Sequence, residues 1–476
     1  TMDANTTGCR NVAMGNGAMT KNTEGICNTA LGHITLQCNL TGDNNTAVGA
    51  AALQKITTNN NTGVGMEAAA CTTSGFATAV GYRAMKANTT SSGSTAMGFE
   101  AMCAVTTGSN NTAMGRSALA ATITGAHNTA VGDKALCANT GAASNNTAVG
   151  SLALCANTSG GKNTAVGFCS MKNSTTGIEN TSIGSEAIKF GTTGCFNTAI
   201  GACTLGGSDV NTGDSNIAIG RKTMFDNTSG EKNVGVGSSS LENNTTAGFN
   251  TAVGHVSMQA NTTGTCNVAM GINSLKANTI GCRNISIGAD SMVVNTEGNL
   301  NVAVGMATLS SLTTGDNNTA VGDCAGLLVT TGGNNLLLGN DSGRTSISPF
   351  AVTTESNRVV IGDNNITNFY AKVALTVTSD LRDKTEIADI PHGLDFVDKL
   401  KPVSFKFKKS REDDIPTGTK HYGFLAQDIL ELEGSDNVII DDEQPDHLKY
   451  KGEHLVPVLV NAIKELTARV KELENE

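Results

Sequence analysis

The chain has 476 residues and a formal net charge of −10, with 55 glycines, no tryptophan and only 4% aromatic residues. Scattered basic residues in an acidic chain argue against nucleic acid as a partner. No signal peptide opens the sequence and no apolar run is long enough to span a bilayer, so secretion and membrane insertion have no support in it.

Thr1 stands just before a repeat-like Ala4-Asn5-Thr6-Thr7-Gly8 turn with no evident cap. This gives the expectation that the sequence opens inside a longer rod, with an attachment module upstream. From there a pentapeptide of the form Asn-Thr-Ala-Val-Gly, complete at Asn45 to Gly49, recurs twenty times, its glycine running from Gly15 to Gly339. The steps are nearly all 17 residues, with excursions to 16, 18 and 19. A short fixed period over so much of a chain means a stacked, quasi-one-dimensional architecture.

Within a repeat, Thr, Ala and Val alternate as in a short strand with one buried face. A small-apolar pair follows the glycine, as at Ala52-Leu53, Ala118-Leu119 and Ala135-Leu136, and predicts a second strand. Asn-Thr-Thr-Gly or Asn-Thr-Gly then supplies turn chemistry. Two strands and two corners make one coil of a narrow, mainly β solenoid, and twenty coils at roughly 4.8 Å each give a shaft of about 95 Å. Helical repeats are excluded, because they need about 33 residues or more and each helical glycine costs roughly 1 kcal/mol. The first 348 residues contain no proline, which fits strands paired on both sides.

The residue four before the glycine is Asn in eighteen copies, with Ala77 and Ser94 the exceptions. Two readings compete for the asparagines of the repeats, many of which lie in Asn-x-Thr sequons: glycosylation, or a structural column in which each amide bonds the next. The second is preferred. All thirteen cysteines lie between Cys9 and Cys324, odd in number and without a Cys-x-x-Cys pair. They read as small buried hydrophobes of a protein assembled in a reducing cytoplasm, with no metal or cofactor expected. Cys137 and Cys155 share one coil position in neighbouring repeats and are the pair expected to oxidise first. The carboxylates, among them Glu24, Asp43, Glu67, Asp133, Asp209 and Asp214, are scattered over corners and loops and single out no glycosidase pair.

After Gly339 the period fails, although residues 358–362 look like one last coil and residues 369–377 read as a final strand or strand pair. Composition changes at Ser379: the last 98 residues hold 36 of the 74 charged residues, five of the 55 glycines and five of the six prolines. The predicted divisions are therefore a solenoid shaft over 1–339, an irregular connector over 340–378 and a small α+β domain over 379–476. In the last, 394–400 predicts a helix, 402–408 a strand, 422–428 the start of a second helix and 438–440 another strand. Residues 456–476 predict a helix in which Leu459, Ile463, Leu466, Val470 and Leu473 form a heptad seam. A helix of that length is marginal alone in water, so the seam implies partner helices.

Four ordered motifs carry a resemblance: Ser379-Asp380-x-Arg382-x-Lys384, Leu400-Lys401-Pro402-Val403-x-Phe405, Gly423-Phe424-x-Ala426-Gln427 and Ala462-Ile463-Lys464-Glu465-Leu466. On these, residues 379–476 resemble the C-terminal intramolecular chaperone of phage endosialidase tailspikes and other tail fibres, a self-cleaving serine-peptidase family. The resemblance implies a homotrimeric chaperone, ending in a trimeric coiled coil, that folds a β-rich fibre and cuts itself off at Thr378-Ser379. Ser379 would attack the Thr378 carbonyl, and Lys384, matching the family's lysine, would take its proton if burial leaves the amine neutral. Asp380 and Asp383 would orient Lys384 or keep it charged. His421 sits where some members carry a functional histidine. Without the resemblance, Ser379 would read as a helix cap with Asp383 near the first turn.

The repeats themselves are similar to head repeats of trimeric autotransporter adhesins, whose Ala-x-Gly strands wind into a left-handed β-roll. Together the resemblances imply a phage tail fibre or tailspike shaft, part of a virion and assembled in the host cytoplasm. Its partners would be two further copies of itself, a host receptor and a virion attachment protein, and its only chemistry a single self-cleavage. A bacterial surface adhesin rod and a glycan-degrading tailspike are the alternatives.

Overall fold

The computed structural model describes the chain apart from residues 208–209, 345–349, 364, 367, 373–378, 409–413, 436, 444 and 476. It forms two compact units, Thr1–Asp341 with Val352–Val359, and Ser342–Ala351 with Val360–Glu476. In the first unit each repeat supplies one strand of three residues, from Val12–Met14 through Thr129–Val131 to Leu336–Leu338. Consecutive strands pair in parallel and in register, Ala13 beside Ala30 and Ala30 beside Ala47. Uneven repeats keep that register: Thr46 pairs with Thr62 and Thr198 with Ile217, so the loops absorb the differences in length. The strand Val359–Ile361 belongs to the same 21-stranded sheet. The coil expected at 358–362 is thus present. Of the strand expected over 369–377, residues 369–372 are not extended into a sheet, and 373–377 lie outside the described residues.

The central residue of the strand, most often alanine, points inward and is buried in nearly every coil, as at Ala47, Ala130 and Ala252. Among the described residues the second strand of the coil does not form. Leu53, Leu119 and Leu136 have φ of 47°, 53° and 51°, in the left-handed region, so the backbone turns where an extended segment was expected. That conformation costs a non-glycine residue about 1–2 kcal/mol. Complete burial of the leucine contributes roughly 1.5–3 kcal/mol and outweighs it. Coil-to-coil bonding also continues through the turn, with the Leu53 N–H donating to Ala68 O and the Leu119 N–H to Ala135 O, both at 2.9 Å. The need for N–H donors therefore extends beyond the strands, which explains the absence of proline throughout the coils. Glycine is obligatory at the strand end: Gly132 has φ of 133°, and a Cβ there would lie 2.6 Å from the Gly150 carbonyl oxygen.

The asparagine column exists, with a different bonding scheme from the one expected. Each Oδ1 accepts the backbone N–H of the next asparagine, as from Asn28 to Asn11 and from Asn267 to Asn250, both at 2.9 Å. Nδ2 typically donates to a loop carbonyl of the following coil, as Asn28 does to Gly42 O at 2.8 Å; Asn61 instead turns back to Asn45 Oδ1 and Asn59 O, both at 3.0 Å. Amide-to-amide bonds are secondary there, for example Asn146 Nδ2 to Asn128 Oδ1 at 3.2 Å. Where Ala77 interrupts the column, Ser94 restarts it, its Oγ accepting from the Asn111 N–H. Nearly all of these asparagines are buried, and many are followed by Thr-Ala, so the Asn of the overlapping sequon is often the residue before, as at Asn44, Asn110 and Asn317.

A second column, unforeseen in the sequence, is the true amide ladder. Asn244 donates to Asn227, Asn261 to Asn244 and Asn278 to Asn261, at 2.8, 2.9 and 2.7 Å. These are the asparagines of the Asn-Thr-Thr-Gly turns. The same turn directs the N–H groups of Thr262, Thr263 and Gly264 at the single carbonyl of Thr279. The ladder breaks wherever an apolar residue takes its place: Leu312 stands one coil beyond Asn295, whose buried Oδ1 has no protein partner.

The cysteines depart from expectation. Cys169 is buried, Cys9 and Cys266 are exposed, and the others are half-buried, because their coil positions face outward at corners. The scattered carboxylates mostly bind the adjacent coil: Asp133 pairs with Arg116, Glu67 with Arg83 and Lys86, and Asp43 and Asp214 accept backbone N–H groups. Asp209 lies outside the described residues.

The second unit is α+β. Helix α1 is Leu394–Val397, α2 is Ala426–Glu433 and α3 is Leu455–Asn475. Strand Val403–Lys408 pairs antiparallel with Pro416–Gly423, and Ile440–Asp441 with Lys449–Tyr450. Tyr422 and Gly423 therefore end a strand and do not begin a helix; the helix starts at Ala426. Phe396, Ile429, Ile439, Ile440, Leu455 and Val458 form the core. Helix α3 buries Leu455, Val458 and Ala462 on one face, while Ile463, Leu466, Val470 and Leu473 stay exposed on another.

Candidate functional site

Ser379 precedes a single 3-10 turn, Leu381–Asp383, whose N-cap is Asp380. The Asp380 carboxylate accepts the Arg382 backbone N–H at 2.9 Å, and its other oxygen takes the Arg382 guanidinium at 2.6 Å. The guanidinium holds the Asp380 carboxyl below the usual carboxylate range. One tight turn then reverses the chain enough for Lys384, five residues on, to return to the serine. Lys384 Nζ donates to Ser379 Oγ at 2.7 Å.

That separation is the contact needed for proton transfer between a hydroxyl and an amine. A neutral lysine at this distance would accept the serine proton as the oxygen attacks; a charged one donates to the oxygen. Both residues are exposed in the single chain. Thr378, whose carbonyl the expected attack requires, lies outside the described residues.

The other candidates are placed elsewhere. Asp380, not Ser379, caps the turn, and its carboxylate is engaged by Arg382. Among the described residues no hydrogen bond or ion pair joins Asp383 to Lys384; the Asp383 N–H closes the turn on Asp380 O at 3.1 Å. His421 lies opposite Phe405 in the hairpin, its ring 5.8 Å from that of Phe405 and 5.4 Å from that of Phe407. Ser379 and Lys384 are thus brought together, whereas the described contacts of His421 are aromatic.

Two carboxylates that the sequence did not reveal organise the surrounding unit. Glu433, buried at the end of α2, accepts the N–H groups of Val438, Ile439 and Ile440 at 2.8, 2.6 and 2.9 Å. A glutamate directly before Gly434 and an apolar strand is the only hint the sequence offers. Glu465 on α3 accepts the Leu394 N–H at 2.7 Å and so supplies the cap that Gly393 cannot.

Residues 379–439 match the family model described as chaperone of endosialidase, and the match begins at the serine of the Ser379–Lys384 contact. The chain carries an endosialidase-type chaperone domain. In the sequence it follows the long parallel β-solenoid of about 17-residue coils. The matched stretch includes the hairpin, α2 and Glu433, and α3 follows it. No curated protein matches the chain. Among the described residues no group of three histidine, cysteine or acidic side chains converges as a metal site would, and no helix is long and apolar enough to cross a membrane.

Proposed function

We propose that the protein is the shaft of a homotrimeric phage tail fibre or tailspike, used in host attachment. Its C-terminal chaperone domain folds the shaft and then releases itself by cleavage at Thr378-Ser379. The observation that carries this reading is the order of parts: a β-solenoid followed by a chaperone-of-endosialidase domain whose first serine meets a lysine.

Two exposed apolar features support the trimer. On α3, Leu459, Ile463, Leu466, Val470 and Leu473 are 38–72% exposed in the single chain, a heptad seam without partners. Along the shaft, the last strand residue of successive coils forms an outward stripe, with Leu31, Met97, Met114, Ile183 and Ile287 each 38–42% exposed. A stripe with the repeat's own period matches one surface above all, the same stripe on another copy in register. In the trimer, packing around the domain's start supplies the desolvation that leaves Lys384 neutral. The hydroxyl of Ser379 then adds to the Thr378 carbonyl, the amide nitrogen takes the proton as the C–N bond breaks, and water hydrolyses the resulting ester. Cleavage so arranged reports that assembly is complete, and loss of the domain traps the shaft kinetically.

Production of the full chain beside a chain ending at residue 378 tests the assignment. The full chain should give soluble shafts with the mass of three copies by light scattering, and the truncated chain mostly insoluble material. Soluble, regularly folded shafts from the truncated chain would remove the chaperone role.

A further inference from the structure

Cys137 and Cys155 occupy the same corner of adjacent coils, and their sulfurs are 2.7 Å apart. Backbone bonds fix the two corners in register on both sides, with Leu136 N–H on Ala153 O and Ala138 N–H on Cys155 O, both at 3.0 Å. Adjacent strands of a sheet lie about 4.8 Å apart, within the Cα separation of about 4.4–6.8 Å that a disulfide spans. Elsewhere in this column the partner is missing: Cys103 stands two coils below Cys137, with Ala120 between them, and its sulfur faces the Ala120 carbonyl. Both thiols are half-buried, hence shielded yet within reach of a small oxidant.

We propose that Cys137 and Cys155 are a redox site, closing to a coil-to-coil disulfide when the assembled shaft meets a disulfide oxidant such as oxidised glutathione. Cys155 is the attacking sulfur. The Cys137 S–H donates to it and brings its pKa down to about 7, and Lys172 and Lys134 favour the thiolate against burial and the charge of Asp133. Lys172 is one coil further along the same column. The Cys155 thiolate attacks one sulfur of oxidised glutathione, breaking its S–S bond and releasing one glutathione thiolate. Cys137 passes its proton to that thiolate and attacks the Cys155 sulfur, expelling the second. Two protein thiols are oxidised and one glutathione disulfide is reduced to two thiols, so electrons and protons balance. The link ties two coils covalently near the middle of the shaft, a staple that forms only after the coils have stacked in register.

The site is tested on the full-length assembled protein, incubated with oxidised glutathione, alkylated and digested with trypsin without reduction. Both cysteines fall in the peptide from Ala135 to Lys162, between Lys134 and the next lysine. That peptide should be recovered two hydrogens lighter and unalkylated, while Cys103 remains alkylated or carries glutathione. Cys137→Ser should instead leave Cys155 as a mixed disulfide with glutathione. The oxidation rate should level off above pH about 7, where an ordinary thiol with a pKa of about 8.5 would keep accelerating. Recovery of the wild-type peptide with both cysteines alkylated after equilibration would overturn the proposal. A rate that climbs steadily past pH 8 would overturn the role given to Cys155.

Discussion

In the shaft a side chain meets its own equivalent one coil on; in the C-terminal domain almost no contact has a counterpart. Asn261 bonds Asn244 below and Asn278 above, and a chain slipped by one whole coil would recover nearly the same set of bonds. Glu433 has one possible set of partners, three consecutive N–H groups at Val438, Ile439 and Ile440. The repeat supplies stability summed over nearest neighbours but little information about register. The irregular domain supplies information about register with a core of only a few residues. In the trimer proposed above, such repeats would need a non-repeating partner to start the chains at the same level, which would give the chaperone domain a physical task.

The largest expected effect follows from removing that starting point. Ile463→Asp together with Leu466→Asp places charges on the exposed seam of α3 without touching the buried face of Leu455, Val458 and Ala462. Soluble shaft should fall by about 10-fold or more, because slow non-local β pairing loses its nucleus. Undiminished soluble shaft in a sedimentation assay would place register selection in the repeats themselves.

Damage within the shaft should be milder and local. Gly132→Val puts a Cβ against the Gly150 carbonyl and asks a branched residue to hold φ of 133°. We expect a loss of about 3 kcal/mol or more in local opening, seen by hydrogen exchange as lost protection in the coils on either side and unchanged protection several coils away. Global loss of protection would mean that the shaft unfolds as one unit. Asn261→Ala removes one rung of the amide ladder and should cost about 1–3 kcal/mol, since the Asn244 acceptor and Asn278 donor are left buried.

The smallest effect sharpens the comparison most. Leu312→Asn would give the orphaned Asn295 Oδ1 a donor while giving up roughly 1.5–3 kcal/mol of leucine burial. The satisfied amide returns about 1–3 kcal/mol, so the midpoint of unfolding should scarcely move. A large loss would show that the apolar interruptions are needed where they stand.

The sequence made the shaft legible because periodicity is visible at the level of residue type: coil length, parallel stacking, the one-faced strand and the asparagine column all follow from it. It misled at Leu53 and its equivalents, where an apolar pair reads as strand yet the backbone turns left-handed, a choice made by packing and not by propensity. The Asn22 and Asn39 type of turn asparagine shows in the sequence only as turn chemistry, because a ladder interrupted by Ile56, Thr72 and Val105 hides its own period. In the domain, the spacing of Ser379 and Lys384 was readable through resemblance, and one 3-10 turn explains how five residues bring them to 2.7 Å. Glu433 and Glu465 were not readable, since each acts on backbone groups brought near only by the fold.

Intact-mass spectrometry of freshly assembled shafts tests the central claim most directly. Wild-type protein should resolve into residues 1–378 and 379–476, with fragments appearing only after assembly. Ser379→Ala and Lys384→Ala should remain full length yet still assemble, the first for lack of a nucleophile and the second for lack of a base. An assembled wild-type chain that keeps its whole mass of 48.6 kDa after prolonged incubation would contradict the account.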